Sequence, residues 1–425
     1  MTIFIFLSVL VGTMAIGVPV AFALIFCGLA LMVFMGMTDP QIVAAKMVAG
    51  ADSFTLLAVP FFLLAGEVMN AGGLSRRIVH FAVTGVGHVR GGLGVVTIFA
   101  AIIMASLSGS PSADTAALAA ILIPMMRDAG YNVPRAAGLM AAGGIIAPVI
   151  PPSIAFIIFG VAANVSITGL FMAGIVPGLI MAVALTISWL LVSRKEEVEL
   201  LPRQPWSKKL VAAREAGWAL FMPVIVIGGI RFGVFTPTEA AIAAAVYALF
   251  VGTVIYKELP IRALYGVFLQ AAKTTSVVLF LIASAMVSAY LITLANIPAE
   301  LNSVIQPLID KPKLLMLLLM LLVLLMGTAL DLSASVLILT PVVMPIIKQA
   351  GIDPIYFGVM FIMNACIGMI TPPVGIVLNV VSGVARVPMG QVIKGIFPFL
   401  VAETILLFVF VAFPELVLVP LSVLR

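Results

Sequence analysis

One passage of this chain occurs twice, and no other feature constrains its fold as strongly. Pro124-Met-Met-Arg127-Asp-Ala-Gly130, followed by Ile150-Pro-Pro152, returns as Pro345-Ile-Ile-Lys348-Gln-Ala-Gly351, followed by Thr371-Pro-Pro373. Pro124 to Pro345, Gly130 to Gly351 and Pro152 to Pro373 are each separated by 221 positions. A short polar stretch precedes each copy inside apolar sequence: Ser106-Leu-Ser-Gly-Ser-Pro-Ser-Ala-Asp114 in one, Gly327-Thr-Ala-Leu-Asp-Leu-Ser-Ala-Ser335 in the other. Duplicated halves with interrupted apolar segments are the device by which secondary transporters place substrate and coupling ions near the bilayer midplane.

The solvent for such a chain is lipid. It is 63% hydrophobic and 9% charged, with a mean hydropathy of +1.30, so most of it cannot be a soluble surface. Apolar stretches near the ~20 residues that span a bilayer recur from end to end, and the alternation of barrel strands is missing. The expected fold is all-α and polytopic. The net charge of +5 gives no case for nucleic acid, because the basic residues sit in short loops without a patch of interleaved aromatics. Cys27 and Cys366 lie far apart in apolar surroundings and read as inert core thiols. His80 and His88 have no metal-ligand spacing. The apolar N-terminus is too long for a secretory h-region and lacks a basic n-region.

Loop charges orient the segments. Ser193 to Glu215 is the most polar stretch and, being rich in Lys and Arg, is expected on the cytoplasmic side. It divides the chain into 1–193, a basic loop at 194–215, and 216–425. Counting crossings outward from that loop makes the pair of apolar segments at about 94–128 a hairpin opening from the cytoplasm, and the pair at about 314–347 a hairpin opening from outside. Their companions, about 136–165 and about 355–385, cross in opposite senses. The copies are therefore expected to be inverted repeats, each with a re-entrant hairpin and a proline-broken helix.

Breaks in a helix survive at membrane depth only where they are buried in protein or line a polar cavity. The hairpin tips offer hydroxyls and the N-terminus of the following helix, which suits an anion. The residues expected at the substrate are Ser108, Gly109, Ser110, Pro111 and Ser153 from the first copy, with Thr328, Asp331, Val374 and Gly375 from the second. The Pro-Pro pairs remove two donors and free carbonyls of the preceding turn. Free carbonyls with hydroxyls make a hard-oxygen site, for which sodium is the expected ion. Ser108, Ser110 and Ser112 with the carbonyls near Ala147 and Ile150 form one such site. Thr328, Ser333, Ser335 and Thr371 with the carbonyls near Gly368 form its mate. Asp114 and Asp331 are ionisable groups in apolar sequence, open to roles as helix caps or as functional groups, and they are out of register with each other. Glu239, after Thr236-Pro-Thr, reads as a helix cap.

At these residues the chain resembles the large membrane subunit of the tripartite ATP-independent periplasmic (TRAP) transporters, the DctM-like family. The matching passages are Pro60-Phe-Phe-Leu-Leu-Ala-Gly66, Ser106-Leu-Ser-Gly-Ser110, Ala147-Pro-Val-Ile-Pro-Pro-Ser153, Gly228-Gly-Ile-Arg-Phe-Gly-Val-Phe-Thr-Pro-Thr-Glu-Ala240 and Gly368-Met-Ile-Thr-Pro-Pro-Val-Gly375. The resemblance implies an elevator-type, ion-transporter-like carrier of the bacterial inner membrane, with sodium as coupling ion. It also implies a separate four-helix small membrane subunit and a periplasmic binding protein that delivers an organic acid, either a C4-dicarboxylate or a sugar acid such as diketogulonate. No Walker loop points to ATP. Two rivals come from other classes. An ion channel or structural subunit would pass ions without saturation by an organic anion. An intramembrane hydrolase using Ser108 or Ser110 would need a base within reach, and neither histidine falls in a repeat.

Overall fold

The computed structural model describes residues 1–37, 39–297 and 306–424; the side chains of 106–108 and 424 lie outside the description. Among the described residues every regular element is helical, and eight helices are long and apolar enough to cross a bilayer. Their starts follow local chemistry. Proline occupies the first turn of Pro40–Ala51, Pro111–Asp128, Pro237–Phe250, Pro312–Ala329 and Pro354–Met369, where the missing N–H has no helical partner to lose. Ser110, Asn132, Ser153, Ser166, Thr236, Asp331 and Asp353 each accept a backbone N–H of the turn that follows. Thr236 and Glu239 complete a capping box.

One part of the molecule is built from small-residue packing. Pro237–Phe250 lies on Ala58–Ala71 through Ala240, Ala241, Ala244, Ala245 and Ala248, all buried. Small side chains let helix backbones approach closely where lipid supplies no hydrophobic drive. The 34-residue helix Ile261–Leu294 packs on Val20–Phe34, on Pro40–Ala51 and on Ala58–Ala71. Glu258 ties the Leu74–Val86 helix to this group through Arg76 at 2.6 Å and Arg77 at 2.8 Å.

The other part holds the repeats. Gly92–Ser108 and Pro111–Asp128 form a helical pair, as do Pro312–Ala329 and Leu332–Gln349. Each pair is followed by a helix in two pieces: Val133–Gly144 with Ile154–Ala163, and Pro354–Met369 with Ile376–Ala385. Pro111 to Leu332, Asp128 to Gln349 and Val133 to Pro354 keep the separation of 221. The copies interlock. Leu332–Gln349 packs on Ile154–Ala163, and Pro111–Asp128 packs on Ile376–Ala385, so the second arm of each hairpin leans on the broken helix of the other copy. Arg127 fixes one such contact by donating from Nη2 to the Ala385 carbonyl at 2.9 Å.

The polar middle of the chain differs from its sequence reading. Only 194–205 is non-helical; residues 206–215 are the first turns of the span Trp206–Arg231. Ala212 and Ala216 are buried, with exposed Lys208 one turn before Ala212, half-buried Lys209 donating from Nζ to the Gly85 carbonyl at 3.4 Å, and Arg214 exposed on the opposite side, so these charges are carried by the helix itself rather than by a loop. The remaining linker is pinned by the Arg135–Glu196 ion pair, by Arg90 to the Arg194 carbonyl at 2.8 Å, and by the Glu199 N–H to the Ala129 carbonyl at 2.9 Å.

Candidate functional site

Each copy brings a hairpin tip against a helix break, by different means. In the first, Gly109 turns the chain with φ +61°, a value that favours glycine. A β-carbon there would lie 3.3 Å from the Pro152 carbonyl oxygen and 3.4 Å from the Ile154 nitrogen. Gly109 and Ser153, both expected at the substrate, are therefore neighbours. In the second copy the place of Gly109 is taken by buried Leu330 with φ −107°. Close approach comes earlier in the arm: a β-carbon on Gly368 would sit 2.7 Å from Gly327 Cα, and one on Gly327 would sit 2.8 Å from the Ala365 carbonyl oxygen.

The breaks themselves carry the expected chemistry of missing donors. Both Pro151-Pro152 and Pro372-Pro373 are cis peptides. Without an N–H on Pro151 and Pro152, the carbonyls of Ala147 and Pro148 lose their helical donors. Pro148 is compensated by the Ser153 hydroxyl at 2.5 Å, while among the described residues no backbone N–H donates to the Ala147 or Ile150 carbonyl. Ser153 also accepts from the Phe156 N–H at 3.2 Å, capping the second half of the broken helix. In the second copy the Thr371 N–H reaches Gly368 at 2.9 Å, while the Met369 carbonyl, which Pro373 cannot serve, accepts from no backbone N–H among the described residues. The Thr371 hydroxyl donates to Ile367 at 2.7 Å, and that of Thr328 donates to Leu325 at 2.8 Å. Val374 is exposed and Gly375 buried, with φ +49°.

The two caps answer the question of register. Ser110 and Asp331, 221 apart, are the equivalent N-caps: Ser110 accepts from the Ala113 N–H at 3.4 Å, and Asp331 from the Ser333 N–H at 3.1 Å. One turn on, Asp114 and Ser335 are equally equivalent. Both are buried, and each donates its N–H to the carbonyl of its cap residue, at 3.0 and 2.9 Å. Each copy thus owns one carboxylate and one hydroxyl at these two places, in exchanged order. The first copy buries its carboxylate and shows its hydroxyl; the second exposes Asp331 and buries Ser335. Ser112 and Ser333, also equivalent, are both half-buried. The side chain of Ser108 lies outside the described residues.

Three groups escaped the sequence reading. The Thr115 hydroxyl is fully buried with no hydrogen-bond partner among the described residues. It touches Gly144, where a β-carbon would lie 1.9 Å from Thr115 Oγ1 and 2.9 Å from the Pro111 carbonyl oxygen. Asn364, fully buried, donates from Nδ2 to the Met320 carbonyl at 2.5 Å, and its Oδ1 has no partner among the described residues. Thr115 shares a helical face with the Ser-rich tip, and that signal was available; Asn364 sits in unbroken apolar sequence and gave none. Glu403 is the third, fully buried in Met389–Ala412, and neither of its carboxyl oxygens has a partner among the described residues. An unmet buried polar group costs on the order of 1–3 kcal/mol. Glu403→Leu is accordingly expected to raise the unfolding temperature in detergent; an unchanged or lowered temperature would mean that the carboxyl has a partner in the membrane. Among the described residues no group of three or more His, Cys, Asp or Glu side chains is placed to hold a metal.

An all-helical chain with paired hairpins, paired broken helices and eight candidate spans is a multi-pass membrane protein of the secondary-transporter architecture. A solved transporter from Alcanivorax borkumensis, described as having an unusual topology, shares the fold with a TM-score of 0.62 at 16% identity, covering 88% of each chain. The sequence profile of the tripartite ATP-independent periplasmic transporter, DctM component, matches residues 7–416. The chain belongs to that family, whose members are permease subunits of the bacterial inner membrane and not enzymes. Among its relatives, the 2,3-diketo-L-gulonate TRAP transporter large permease of Escherichia coli is 56% identical over 425 residues, 99% of both chains. The sialic acid large permease of Vibrio cholerae is 40% identical over 96% of this chain and 95% of its own. The C4-dicarboxylate large permease of Pseudomonas aeruginosa is 38% identical over 87% of each.

Proposed function

We propose that this chain is the large permease of a sodium-driven importer of a sugar-acid anion of the diketogulonate type. In this reading a periplasmic binding protein delivers the acid, and a separate small membrane subunit completes the complex. The observation that carries it is identity of 56% with the E. coli diketogulonate permease across the whole chain, joined to two tip-and-break sites rich in oxygen. The copies are taken as inverted, with the basic ends of Pro111–Asp128 and Ile376–Ala385 on the cytoplasmic side. The repeat half of the molecule is taken as the moving body of an elevator.

Chemically, each site offers a carboxylate beside hydroxyl and carbonyl oxygens. A sodium ion there would offset Asp114 or Asp331, so that an anion meets the tips without facing uncompensated like charge. In the first site the ligand candidates are Ser110, Ser112, Thr115 and the carbonyls of Ala147 and Ile150; in the second, Thr328, Ser333, Ser335, Thr371 and the Met369 carbonyl. The ordered tips then present Gly109, Ser110, Pro111 and Ser153 opposite Asp331, Val374 and Gly375. Linked binding of ion and acid supplies the coupling.

Proteoliposomes holding both membrane subunits test the reading. Labelled 2,3-diketogulonate uptake is expected to saturate, to need the binding protein, and to collapse when potassium replaces external sodium. Flux that neither saturates nor needs the binding protein would sink it in favour of a channel.

A further inference from the structure

Where Val133–Gly144 crosses Met389–Ala412, the two backbones touch. A β-carbon on Gly395 would lie 2.1 Å from the Pro134 carbonyl oxygen, and one on Gly138 would lie 2.6 Å from the Ile396 nitrogen. At the N-terminal mouth of this crossing the side chains diverge and leave a cavity of about 280 Å³, lined by Asn132, Pro134, Arg135, Gln391, Lys394 and Pro398. Its polar groups are two cations and two amides, and no carboxylate lines it. Glu196 lies behind Arg135, pairs with its Nη1 and approaches the Asn132 N–H at 3.4 Å. It therefore offsets Arg135 in part, and no carboxylate pairs with the Lys394 ammonium among the described residues. The first turns of both helices open toward the same mouth, adding their positive ends. Nearby, Arg127 sits at the Ala385 carbonyl and Arg386 follows it, which adds two more cations at this end of the repeat half, beside Asp128.

We propose that this cavity holds the phosphate of an anionic phospholipid headgroup from the cytoplasmic leaflet. Basic pockets between helices at that leaflet suit such headgroups, and a cluster of Lys and Arg at one end of apolar spans itself marks the cytoplasmic side. Lys394 and the remaining Arg135 donors take the phosphate oxygens, Asn132 and Gln391 take the glycerol hydroxyls, and Pro134 and Pro398 meet the start of the acyl chains. Met389–Ala412 packs on the repeat helices Val133–Gly144, Pro354–Met369 and Ile376–Ala385, so on the elevator reading proposed above a lipid seated there travels with the repeat half. The bound headgroup then favours the position that keeps this end in the leaflet plane. The site itself does not depend on what the protein transports.

Lipid binding, not uptake, is the measurement. Purified protein in neutral detergent is titrated with short-chain phosphatidylglycerol, phosphatidylcholine of equal length and inorganic phosphate, following bound lipid by native mass spectrometry. Phosphatidylglycerol is expected to bind in preference to phosphatidylcholine. Lys394→Gln is expected to weaken it roughly fivefold, the effect of about one basic residue near a headgroup, and Gln391→Glu to weaken it further. Lys394→Arg and the distant Lys348→Gln should bind as the parent does. Equal binding of the two lipids, or no loss in both Lys394→Gln and Gln391→Glu, overturns the proposal. Tighter binding of inorganic phosphate than of phosphatidylglycerol reassigns the cavity to a soluble anion and overturns it as a lipid site.

Discussion

Gly368→Ala is expected to abolish transport while its neighbour in the same half, Gly383→Ala, leaves it intact. The added carbon at 368 would lie 2.7 Å from backbone atoms of Gly327, and nothing lies within 4 Å of the corresponding position at 383. Backbone cannot rotate aside as a side chain does, so the second hairpin must shift away from its broken helix. Overpacking of this kind costs about 1–3 kcal/mol, sometimes more. A shift at Gly327 also carries the hairpin tip, Leu330 and Asp331, which lie within the next helical turn of the chain. Uptake in proteoliposomes should fall at least tenfold for Gly368→Ala, an effect of ~1.4 kcal/mol or more at the site, with a lowered unfolding temperature. Gly383→Ala should gain a little stability from helix propensity, about 0.5–1 kcal/mol. Parent-like uptake by Gly368→Ala would mean that the Gly327 contact does not position the tip.

The second large effect concerns hydroxyls that are buried for no structural return. Thr115 and Ser335 are fully buried and their hydroxyls find no partner among the described residues. If they served only packing, Thr115→Val and Ser335→Ala would be neutral or stabilising, since an unmet hydroxyl is a cost of ~1–3 kcal/mol. If they bind the coupling ion, the same changes raise the sodium concentration at half-maximal uptake by about tenfold each, the effect of ~1.4 kcal/mol. The expected outcome is the second, with unfolding in sodium-free buffer no easier than for the parent. Thr340→Val is the comparison: that hydroxyl is equally buried and unpartnered, but it lies five residues from Ser335 and points to another face of the helix. Unaltered sodium dependence in both Thr115→Val and Ser335→Ala would remove these residues from the ion sites.

Much of this was legible in the residues, for identifiable reasons. The offset of 221 is written into proline and glycine, the two residues whose backbone demands are hardest to meet otherwise, and the helices obey it at Pro111, Asp128 and Val133. Composition alone makes the fold helical and membranous, because lipid leaves no other open arrangement for the backbone. What the sequence hid was pairing. Asp114 and Asp331 looked misaligned when carboxylates were compared with each other; the correspondence is by place on the helix, cap with cap and first turn with first turn. A threonine in an apolar helix usually bonds its own backbone, which outweighed the face that Thr115 shares with the Ser-rich tip; its unpartnered hydroxyl among the described residues and its contact with Gly144 are what set it apart. The linker was read as longer than it is because charge at a helix start resembles charge in a loop until the burial of Ala212 and Ala216 within the same turns is seen.

Each hairpin's second arm is covered by the broken helix of the other copy, so one copy alone would expose that arm and lack the wall of its own site. Each copy is therefore a structural part of the other's site. Because the two are carried by one chain they need not stay alike, and the exchanged order of carboxylate and hydroxyl is a difference that two identical subunits could not hold.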